Sequence, residues 1–458
     1  MIVKFFTLGC KVNQYETQWL RTAFLANGWS EAEQDANENE VDLVVVNTCS
    51  VTLESDAKSR KTIAHCAKTY PNAEIVVIGC YAASDPDAVA ALPNVTETIP
   101  DKRRLPEFLA RRGLVDIPTS VSGLSERRRA YVKVQDGCRV GCAYCIIPKT
   151  RPYLHSRPIE EIVEEVRTLS ANGYREIVLT GIHLGHYGLD FSDGARELEE
   201  RKGALTLQDY LDLREKTAPE RRVDLARLLR ALTTFDSSLL RVRLGSLEAV
   251  EVTDEVLNVV EERADLFCPH FHLSMQSGDD SVLLRMKRRW SSEPFIEKCR
   301  DVCARIADAA LSTDVIVGFP GETDANFQRT VDVVRALNFS KTHVFRFSAR
   351  PGTLAAEMKD QIPESVKKER AKLLIEVARQ EREKFARRFL GRTTRFVVEG
   401  IERDANGRFV AKGSTERYYD ALAPLRQGRD ARNPNVGDFV RVALKELDGD
   451  VFRAELLD

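Results

Sequence analysis

The sequence predicts an α/β protein in three parts: a doubly wound parallel sheet, a partial (βα)6 barrel and a small β-barrel. Three observations support this fold class. Apolar strands alternate with helical segments up to about residue 120, the alternation restarts near residue 125, and short strands separated by turn residues follow Gly391. A chain of 458 residues is long enough for two or three domains, which we place at residues 1–120, 121–390 and 391–458.

The first part begins with a strand-like run at residues 2–8 and a helical pattern at residues 14–27. Two further strands, at residues 42–46 and 74–78, flank a helix predicted at residues 52–69. Both strands are apolar without alternation, which is typical of strands buried on both faces. Helices between such strands predict a parallel, doubly wound sheet.

The second part begins with a strand at residues 131–135, followed by a cysteine-rich loop and a helix that starts near Pro158. Five further strands are predicted at residues 176–180, 240–244, 270–274, 312–318 and 342–348. Six strands, each beside a plausible helix, favour an open or partial barrel. Residues 189–222 are very polar and exceed an ordinary βα connection, so we interpret them as an insertion.

The third part follows a helix predicted at residues 364–390, which carries nine Lys or Arg residues against five Glu. Beyond it, the segments TRFVVEG, RFVAKGS, GDFVRVAL and GDVFRAEL are short strands with turn signals between them. This pattern predicts a small antiparallel barrel.

The composition excludes several classes of protein. Lys and Arg total 68 against 70 Asp and Glu, so any nucleic-acid partner must be bound through local basic patches. Apolar runs such as residues 43–46 and 75–78 are too short for a membrane span, and the first residues lack a secretory pattern. We therefore expect a cytoplasmic protein with no membrane partner, whose ten cysteines serve metal binding or catalysis rather than disulfides.

One group of cysteines lies in a single loop. Cys138, Cys142 and Cys145 follow the first strand of the predicted barrel, separated by three and two residues. Three thiolates at this spacing can bind three irons of a [4Fe–4S] cluster and leave the fourth iron open. A structural zinc site is the alternative, with His155 as the nearest additional ligand.

A second group is scattered along the chain. Cys10, Cys49 and Cys80 each follow the carboxyl end of a predicted strand, in the segments FFTLGC, VVVNTC and IVVIGC. A lone cysteine there would be a buried small hydrophobe, but three at the ligand-binding edge of one sheet predict a second open cluster. We interpret the remaining cysteines as structural: Cys66, Cys268, Cys299 and Cys303.

With both cysteine groups in place, the chain resembles the radical S-adenosylmethionine methylthiotransferases nearly from end to end. The matching motifs are TLGCKVNQYE (7–16), VNTCSVT (46–52), DAKSRKTI (56–63), QDGCRVGCAYCIIP (135–148), TGIHLGHYG (180–188), HLSMQSGDD (272–280), TDVIVGFPGET (313–323) and FSARPGT (347–353). The resemblance implies an amino-terminal cluster domain, a radical S-adenosylmethionine core and a carboxy-terminal TRAM domain. It also implies two [4Fe–4S] clusters, S-adenosylmethionine, an electron donor such as flavodoxin or ferredoxin, and a sulfur source.

The resemblance further implies how the two clusters divide the work. One S-adenosylmethionine is split at the Cys138 cluster, and another methylates a sulfur held at the Cys10 cluster, so that a methylthio group enters carbon 2 of an adenine. Tyr144 is expected near the adenine of the cofactor, and Gly181, His183 and Gln276 are expected to contact the cofactor. Gly181 could instead be required only to form the βα turn.

The motifs TLGCKVNQYE and VNTCSVT resemble most the branch that acts on threonylcarbamoyladenosine beside the tRNA anticodon. The branch acting on isopentenyladenosine usually has Gln-Met-Asn where this chain has Lys11, Val12 and Asn13. Three alternatives stay open: isopentenyladenosine tRNA, an aspartate of a ribosomal protein, and a non-catalytic iron–sulfur RNA-binding protein.

Basic residues indicate the partner. Residues 125–157, around the cysteine loop, contain eight Lys or Arg against two acids, and the basic helix at residues 364–390 extends the charge. We predict that they bind the anticodon stem-loop of tRNA, although an isolated charged run can also be a solvated surface. The chain departs from the family's usual Pro-Tyr-x-Arg-Gly after the loop, where it has Pro148, Lys149, Thr150, Arg151 and Pro152.

Overall fold

The computed structural model describes residues 1–33, 40–123, 129–404, 406–426 and 432–457. They form a parallel sheet, a partial barrel and a small closed barrel, which confirms the predicted fold class. Across these ranges, no helix combines the length and apolar character needed to cross a membrane.

The first sheet has five parallel strands in the order β2-β1-β3-β4-β5, a common doubly wound order. The strands are β1 (Ile2–Thr7), β2 (Ser30–Glu31), β3 (Leu43–Thr48), β4 (Glu74–Gly79) and β5 (Val95–Ile99). The helices are α1 (Lys11–Ala26), α2 (Leu53–Thr69), α3 (Cys80–Ser84), α4 (Pro86–Ala90) and α5 (Leu105–Arg111). Strand β3 is buried along its whole length, because α1 and α5 cover one face of the sheet and α2 covers the other.

Two helices start at a cysteine. Helix α1 begins at Lys11, three residues earlier than predicted, so Cys10 is its N-cap residue with extended backbone. Helix α3 begins at Cys80 itself. The strand-to-helix junctions thus place these thiols at the carboxyl edge of the sheet.

The second part is built from six longer parallel strands and two short ones, in the sheets β7-β6-β8-β9 and β10-β11-β12-β13. They are β6 (Arg129–Asp136), β7 (His155–Ser156), β8 (Glu176–Gly181), β9 (Arg241–Leu244), β10 (Ser246–Leu247), β11 (His270–Leu273), β12 (Ala310–Val317) and β13 (Lys341–Arg346). Backbone hydrogen bonds from Val242 to Leu266 and from Cys268 to Val242 join the two sheets, as a partial barrel requires.

The helices of this part are α6 (Ile147–Thr150), α7 (Ile159–Ala171), α8 (Ala195–Lys202), α9 (Leu207–Lys216), α10 (Leu225–Leu232), α11 (Asp254–Glu262), α12 (Asp280–Arg285), α13 (Ser292–Arg305), α14 (Asp324–Leu337) and α15 (Glu364–Arg387). Side chains of α7, α10, α11, α13, α14 and α15 pack into the barrel core from the outside. On β11 and β12, Phe271, Leu273 and Val315 belong to the core beneath the helices. Because side chains alternate along a strand, His272 and Asp314 face the opposite side, which is the barrel lumen.

The polar insertion is folded. Helices α8 and α9 enclose a small core that contains Leu189, Leu205 and Tyr210, while their charged residues face outward. Arg139, in the cysteine loop, donates to the Leu205 carbonyl at 2.6 Å. The insertion therefore supports the loop that carries Cys138 to Cys145.

The third part is a closed barrel in the strand order β14-β15-β16-β18-β17. Its strands are β14 (Thr393–Arg403), β15 (Phe409–Thr415), β16 (Asp420–Pro424), β17 (Phe439–Asp448) and β18 (Val451–Leu456). Arg241 and Arg243, both buried and paired with Glu176, donate to the carbonyls of Ser414 and Glu416. The small barrel thereby closes the amino-terminal end of the larger one.

Candidate active site

The loop after β6 presents Cys138, Cys142 and Cys145, each partly exposed. Its backbone is pinned across the barrel, because the Ala143 amide donates to Met286 (2.9 Å) and the Ala355 amide donates to the Ala143 carbonyl (2.8 Å). The loop is thus held at the carboxyl end of the strands, with its thiols accessible.

Positive groups lie beside these thiols. Arg288 donates to the Cys142 sulfur at 3.1 Å and to the Tyr144 hydroxyl at 3.4 Å. Burial raises the pKa of the Cys142 thiol, while Arg288 opposes that rise. Burial raises the pKa of Cys145 to about 12. Both thiols must therefore lose a proton when a metal binds, and Arg288 favours the thiolate form at Cys142.

His183 stands on the other side of the loop. Its Nδ1 lies 3.5 Å from the Cys138 sulfur, and its Nε2 lies 2.5 Å from Oε1 of Glu251. Burial would lower the pKa of His183, but Glu251 outweighs it and holds that pKa well above its usual value. The Glu251–His183 pair therefore aims a charged imidazole at Cys138.

The histidines also bear on the zinc alternative. Ligand atoms of Cys138, His183 and His186 lie within 4.8 Å of one another. Among the described residues, His155 joins no such group, and it is exposed on β7. The histidines that could join Cys138 in a metal site are thus His183 and His186, and not His155, the nearest histidine in the sequence.

The three remaining predicted cofactor contacts lie at or just beyond the carboxyl ends of the barrel strands β6, β8 and β11. The Tyr144 ring meets Phe319 edge-on, with the ring centroids 6.5 Å apart. A Cβ on Gly181 would lie 3.1 Å from Oε1 of Gln135, so packing alone already favours glycine there. Gln276, with a left-handed φ of 67°, follows β11. Contact of these residues with a cofactor stays a prediction.

The scattered cysteines end adjacent strands. Cys10 follows β1, Cys49 follows β3, and Cys80 follows β4. A Cβ on Gly9 would lie 3.0 Å from the Cys49 sulfur. Burial raises the pKa of Cys10, Arg151 opposes that rise, and the nearby Cys80 adds to it. The sheet therefore brings three thiols, separated by 39 and 31 residues, to one edge.

Two glycines permit this convergence. Gly9 has a φ of 100° and Gly79 a φ of 101°, both in the left-handed region. A Cβ on Gly79 would lie only 2.5 Å from the Thr48 amide nitrogen. Each turn from strand to cysteine thus depends on the absence of a side chain.

A buried charge network connects the two cysteine groups. Arg151 donates to Oδ1 of Asn13 and to Oε1 of Glu16, both at 2.9 Å, and to Oδ1 of Asp136 at 2.5 Å. Burial alone would raise the pKa of Glu16, but Arg151 and two nearby lysines lower it to about 2. Asn13 is three residues from Cys10 and Asp136 two residues from Cys138, so Arg151 fixes one group relative to the other.

Sequence reasoning missed the residues that support the thiols. They are Glu16, Arg151, Glu248, Glu251 and Arg288. In the sequence, Arg151 stands out only as part of a departure from the family pattern, and Glu16 only as the last residue of a motif. Arg288 and Glu251 gave no signal, because they reach the site from βα connections more than 100 residues away.

Comparison with known proteins defines the class first. The model of the Radical SAM superfamily matches residues 132–334, and that of the uncharacterized protein family UPF0004 matches residues 2–99. The radical S-adenosylmethionine methyltransferase TsrM from Kitasatospora setae, with cobalamin and a [4Fe-4S] cluster bound, shares the fold. Its TM-score is 0.50 at 14% identity, covering 75% of this chain and 74% of that one. The match to the Radical SAM superfamily includes the three-cysteine loop at residues 138–145.

Sequence relatives identify a more specific family within the Radical SAM superfamily. The threonylcarbamoyladenosine tRNA methylthiotransferases MtaB of Bacillus subtilis and Thermotoga maritima are 34% and 33% identical. Each alignment covers 97% of this chain, and 98% and 94% of the relatives. The tRNA-2-methylthio-N(6)-dimethylallyladenosine synthase of Mycobacterium sp. (strain MCS) is 32% identical, covering 90% of this chain and 79% of the relative. The chain belongs to the radical S-adenosylmethionine methylthiotransferase family, so it is an enzyme, and the non-catalytic alternative is set aside.

The family implies a [4Fe–4S] cluster and S-adenosylmethionine. The Cys138 loop fits this group, since it offers three accessible thiols, no disulfide, and a cation beside one sulfur. When bound, the cluster supplies the electron for reductive cleavage of S-adenosylmethionine. Arg288 and His183 hold the thiols in place, and the pinned loop keeps them at the barrel mouth.

Proposed function

We propose that this enzyme inserts a methylthio group at carbon 2 of threonylcarbamoyladenosine, next to the anticodon of tRNA. The observation that carries the proposal is the meeting of two cysteine groups across one network centred on Arg151. The MtaB relatives, aligned over nearly the whole chain, support the choice of substrate. A tRNA substrate makes the cytoplasm the place of reaction.

In this proposal each part of the chain has one task. Residues 1–120 hold a second [4Fe–4S] cluster and the sulfur through Cys10, Cys49 and Cys80. Residues 121–390 bind the first cluster and S-adenosylmethionine through the Cys138 loop, with Tyr144, Gly181, His183 and Gln276 around the cofactor. Residues 391–458 form a TRAM-like barrel that binds RNA. The further partners are an electron donor such as flavodoxin or ferredoxin and a sulfur source.

The basic residues expected to bind RNA do not contribute equally. Lys133, Arg151 and Arg157 form largely buried ion pairs and are therefore not available to RNA. Arg127 and Arg128 lie outside the described residues. On α15, two cations are also buried in structural contacts, whereas several are exposed. The exposed ones are Lys368, Lys372, Arg379, Lys384, Arg387 and Arg388. RNA contact is therefore proposed for α15 and the small barrel rather than for the cysteine loop.

The test offers the reconstituted enzyme three substrates under reducing conditions with a sulfide source: threonylcarbamoyl-modified tRNA, isopentenyl-modified tRNA and ribosomal protein. We expect methylthiolation of the first, detected by mass spectrometry of nucleosides, with binding that weakens steeply as salt rises. The base must also leave its stack to reach the barrel, which costs least in an anticodon loop. Modification of either other substrate without the first would refute the choice of substrate.

A further inference from the structure

The barrel lumen contains a continuous row of polar side chains. The Ser312 hydroxyl oxygen lies 3.1 Å from Nε2 of His270 and 3.0 Å from Nδ1 of His272. The other ring nitrogen of His272, Nε2, lies 3.1 Å from Oδ2 of Asp314. Hydrogen bonds therefore hold four side chains of β11 and β12 in one row along the wall.

Two further groups flank this row. His343 pairs in register with Asp314, and its ring lies 5.8 Å from that of His272. Lys11 reaches in from the amino-terminal part, where its Nζ lies 3.5 Å from the Tyr418 hydroxyl, and the Tyr418 ring lies 4.8 Å from that of His270. Within the described part of the chain, Lys11 forms no ion pair and His343 no hydrogen bond, so both have free capacity.

Burial lowers the pKa of His343 and lowers that of His270 well below its usual value, so both rings are neutral hydrogen-bonding groups. The positive charge in the lumen that is not bound by an acid is therefore that of Lys11. The acid deepest in the barrel, Glu176, is already bound by Arg241 and Arg243. The lumen therefore suits a ligand with a negative charge and hydrogen-bonding groups.

A metal ion is the competing occupant, because ligand atoms of His272, Asp314 and His343 lie within 4.8 Å of one another. However, both ring nitrogens of His272 already have protein partners, Ser312 on one side and Asp314 on the other. A neutral imidazole coordinates a metal through a nitrogen lone pair, and here neither nitrogen is free to do so without breaking a bond. The arrangement favours an organic anion.

We propose that Lys11, Asp314 and His343 bind the threonylcarbamoyl substituent of the adenine and so select the substrate, while His272 holds Asp314 in position. Lys11 and His343 face its carboxylate, while Asp314 accepts a hydrogen bond from its hydroxyl or amide group. Carbon 2 and carbon 6, which bears the substituent, flank N1 on one edge of the adenine, and their outward bonds diverge. A base that presents carbon 2 to the cysteine loop therefore directs the substituent toward a different part of the barrel wall. This inference rests on the proposed function.

The test compares two anticodon stem-loop RNAs, one carrying threonylcarbamoyladenosine and one in which its carboxylate has become a neutral amide. The variants are Lys11→Met and His343→Phe, with Lys68→Met, an exposed lysine of α2, as the matched control. We expect K11M and H343F to lose about tenfold or more in kcat/KM on the carboxylate RNA, mainly through KM, with little change on the amide. K68M should match the wild type on both RNAs.

Because Lys11 adjoins Cys10, iron content and 5'-deoxyadenosine formation are measured for each variant. H343F changes β13, which carries none of the six cysteines, so it tests the pocket even if K11M loses iron. Equal losses on both RNAs, or no loss on either, would overturn the pocket while the proposed function stands. The pocket would also be overturned if the wild type held a stoichiometric metal other than iron and H343F lost that metal. Failure of the wild type on both RNAs would instead overturn the proposed function.

Discussion

The two cysteine groups are assembled by opposite routes. Cys138, Cys142 and Cys145 lie within one loop, so their spacing is a property of eight consecutive residues. Cys10, Cys49 and Cys80 meet only because β1, β3 and β4 pair in register, with Thr48 opposite Gly79. A local motif survives small changes elsewhere, whereas a site made by three strands depends on the whole sheet.

The largest expected effect separates the two groups by chemistry. Triple alanine replacement of Cys138, Cys142 and Cys145 should roughly halve the iron of the anaerobically reconstituted protein and abolish 5'-deoxyadenosine formation. Triple replacement of Cys10, Cys49 and Cys80 should also halve the iron, yet leave reductive cleavage of S-adenosylmethionine intact and form no methylthio product.

The control for both is Cys303→Ala, since this exposed cysteine lies outside both groups. Iron is measured by colorimetric assay and the products by mass spectrometry. If either triple variant retains full iron content, that group holds no cluster. Loss of 5'-deoxyadenosine in the amino-terminal variant, with an intact fold by circular dichroism, would contradict the division of labour.

The second prediction uses glycines to distinguish the two routes. Gly79→Ala puts a Cβ against the backbone of Thr48 at a φ of 101°, and should destabilise the sheet edge by about 4 kcal/mol and remove the iron of the scattered group. Gly141→Ala, in the cysteine loop, meets nothing within 4 Å and should cost only about 1 kcal/mol for its φ of 75°. Equal iron loss in both variants would erase the distinction between strand-built and loop-built sites.

The same distinction decides what the sequence could reveal. Runs of apolar residues such as β3 predict a buried strand directly, and the alternation with helices predicts the sheet around it. The strands β2 and β5 escaped prediction, because one has two residues and the other, VTETI, is polar at its centre. Cysteine positions relative to strand ends were readable, since every parallel strand ends at the same edge.

Long-range polar contacts were not readable. Arg151 joins Glu16 across 135 residues, and nothing in the local pattern of either residue records that pairing. The cations of residues 125–157 illustrate the reverse error: as a run they indicate a surface for RNA, but burial and acidic partners convert Lys133, Arg151 and Arg157 into internal supports. Charge in a sequence predicts exposure only where no acid folds onto it.

The third prediction breaks the connection between the two groups. Arg151→Met leaves Glu16 and Asp136 buried with less cationic compensation, which should cost about 3 kcal/mol and raise the pKa of Glu16 from its value of about 2. We expect both iron groups to remain while methylthiolation falls more than cleavage of S-adenosylmethionine. Arg167→Met, which removes an exposed pair with Glu164, is the matched control and should cost less than about 1 kcal/mol. If methylthiolation and cleavage of S-adenosylmethionine fall equally in R151M, the network has only a structural role.

The smallest expected effect compares two helix caps of the same chemistry. The Thr52 hydroxyl caps α2, three residues after Cys49, and the Thr253 hydroxyl caps α11 on the outside of the barrel. Replacing either threonine by alanine removes one hydrogen bond to a helix amide and should cost about 1 kcal/mol. Global stability, measured by chemical unfolding, should therefore change about equally in the two variants.

The rate of iron release to a chelator should differ between the two variants. Thr52→Ala loosens a strand-to-helix junction on which the scattered cysteines depend. This variant should therefore release the iron of the scattered cysteines up to about fivefold faster than the wild type, whereas Thr253→Ala should release iron at the wild-type rate. Equal release from both variants would mean that the strand-built site is no more sensitive to local opening than the loop-built one.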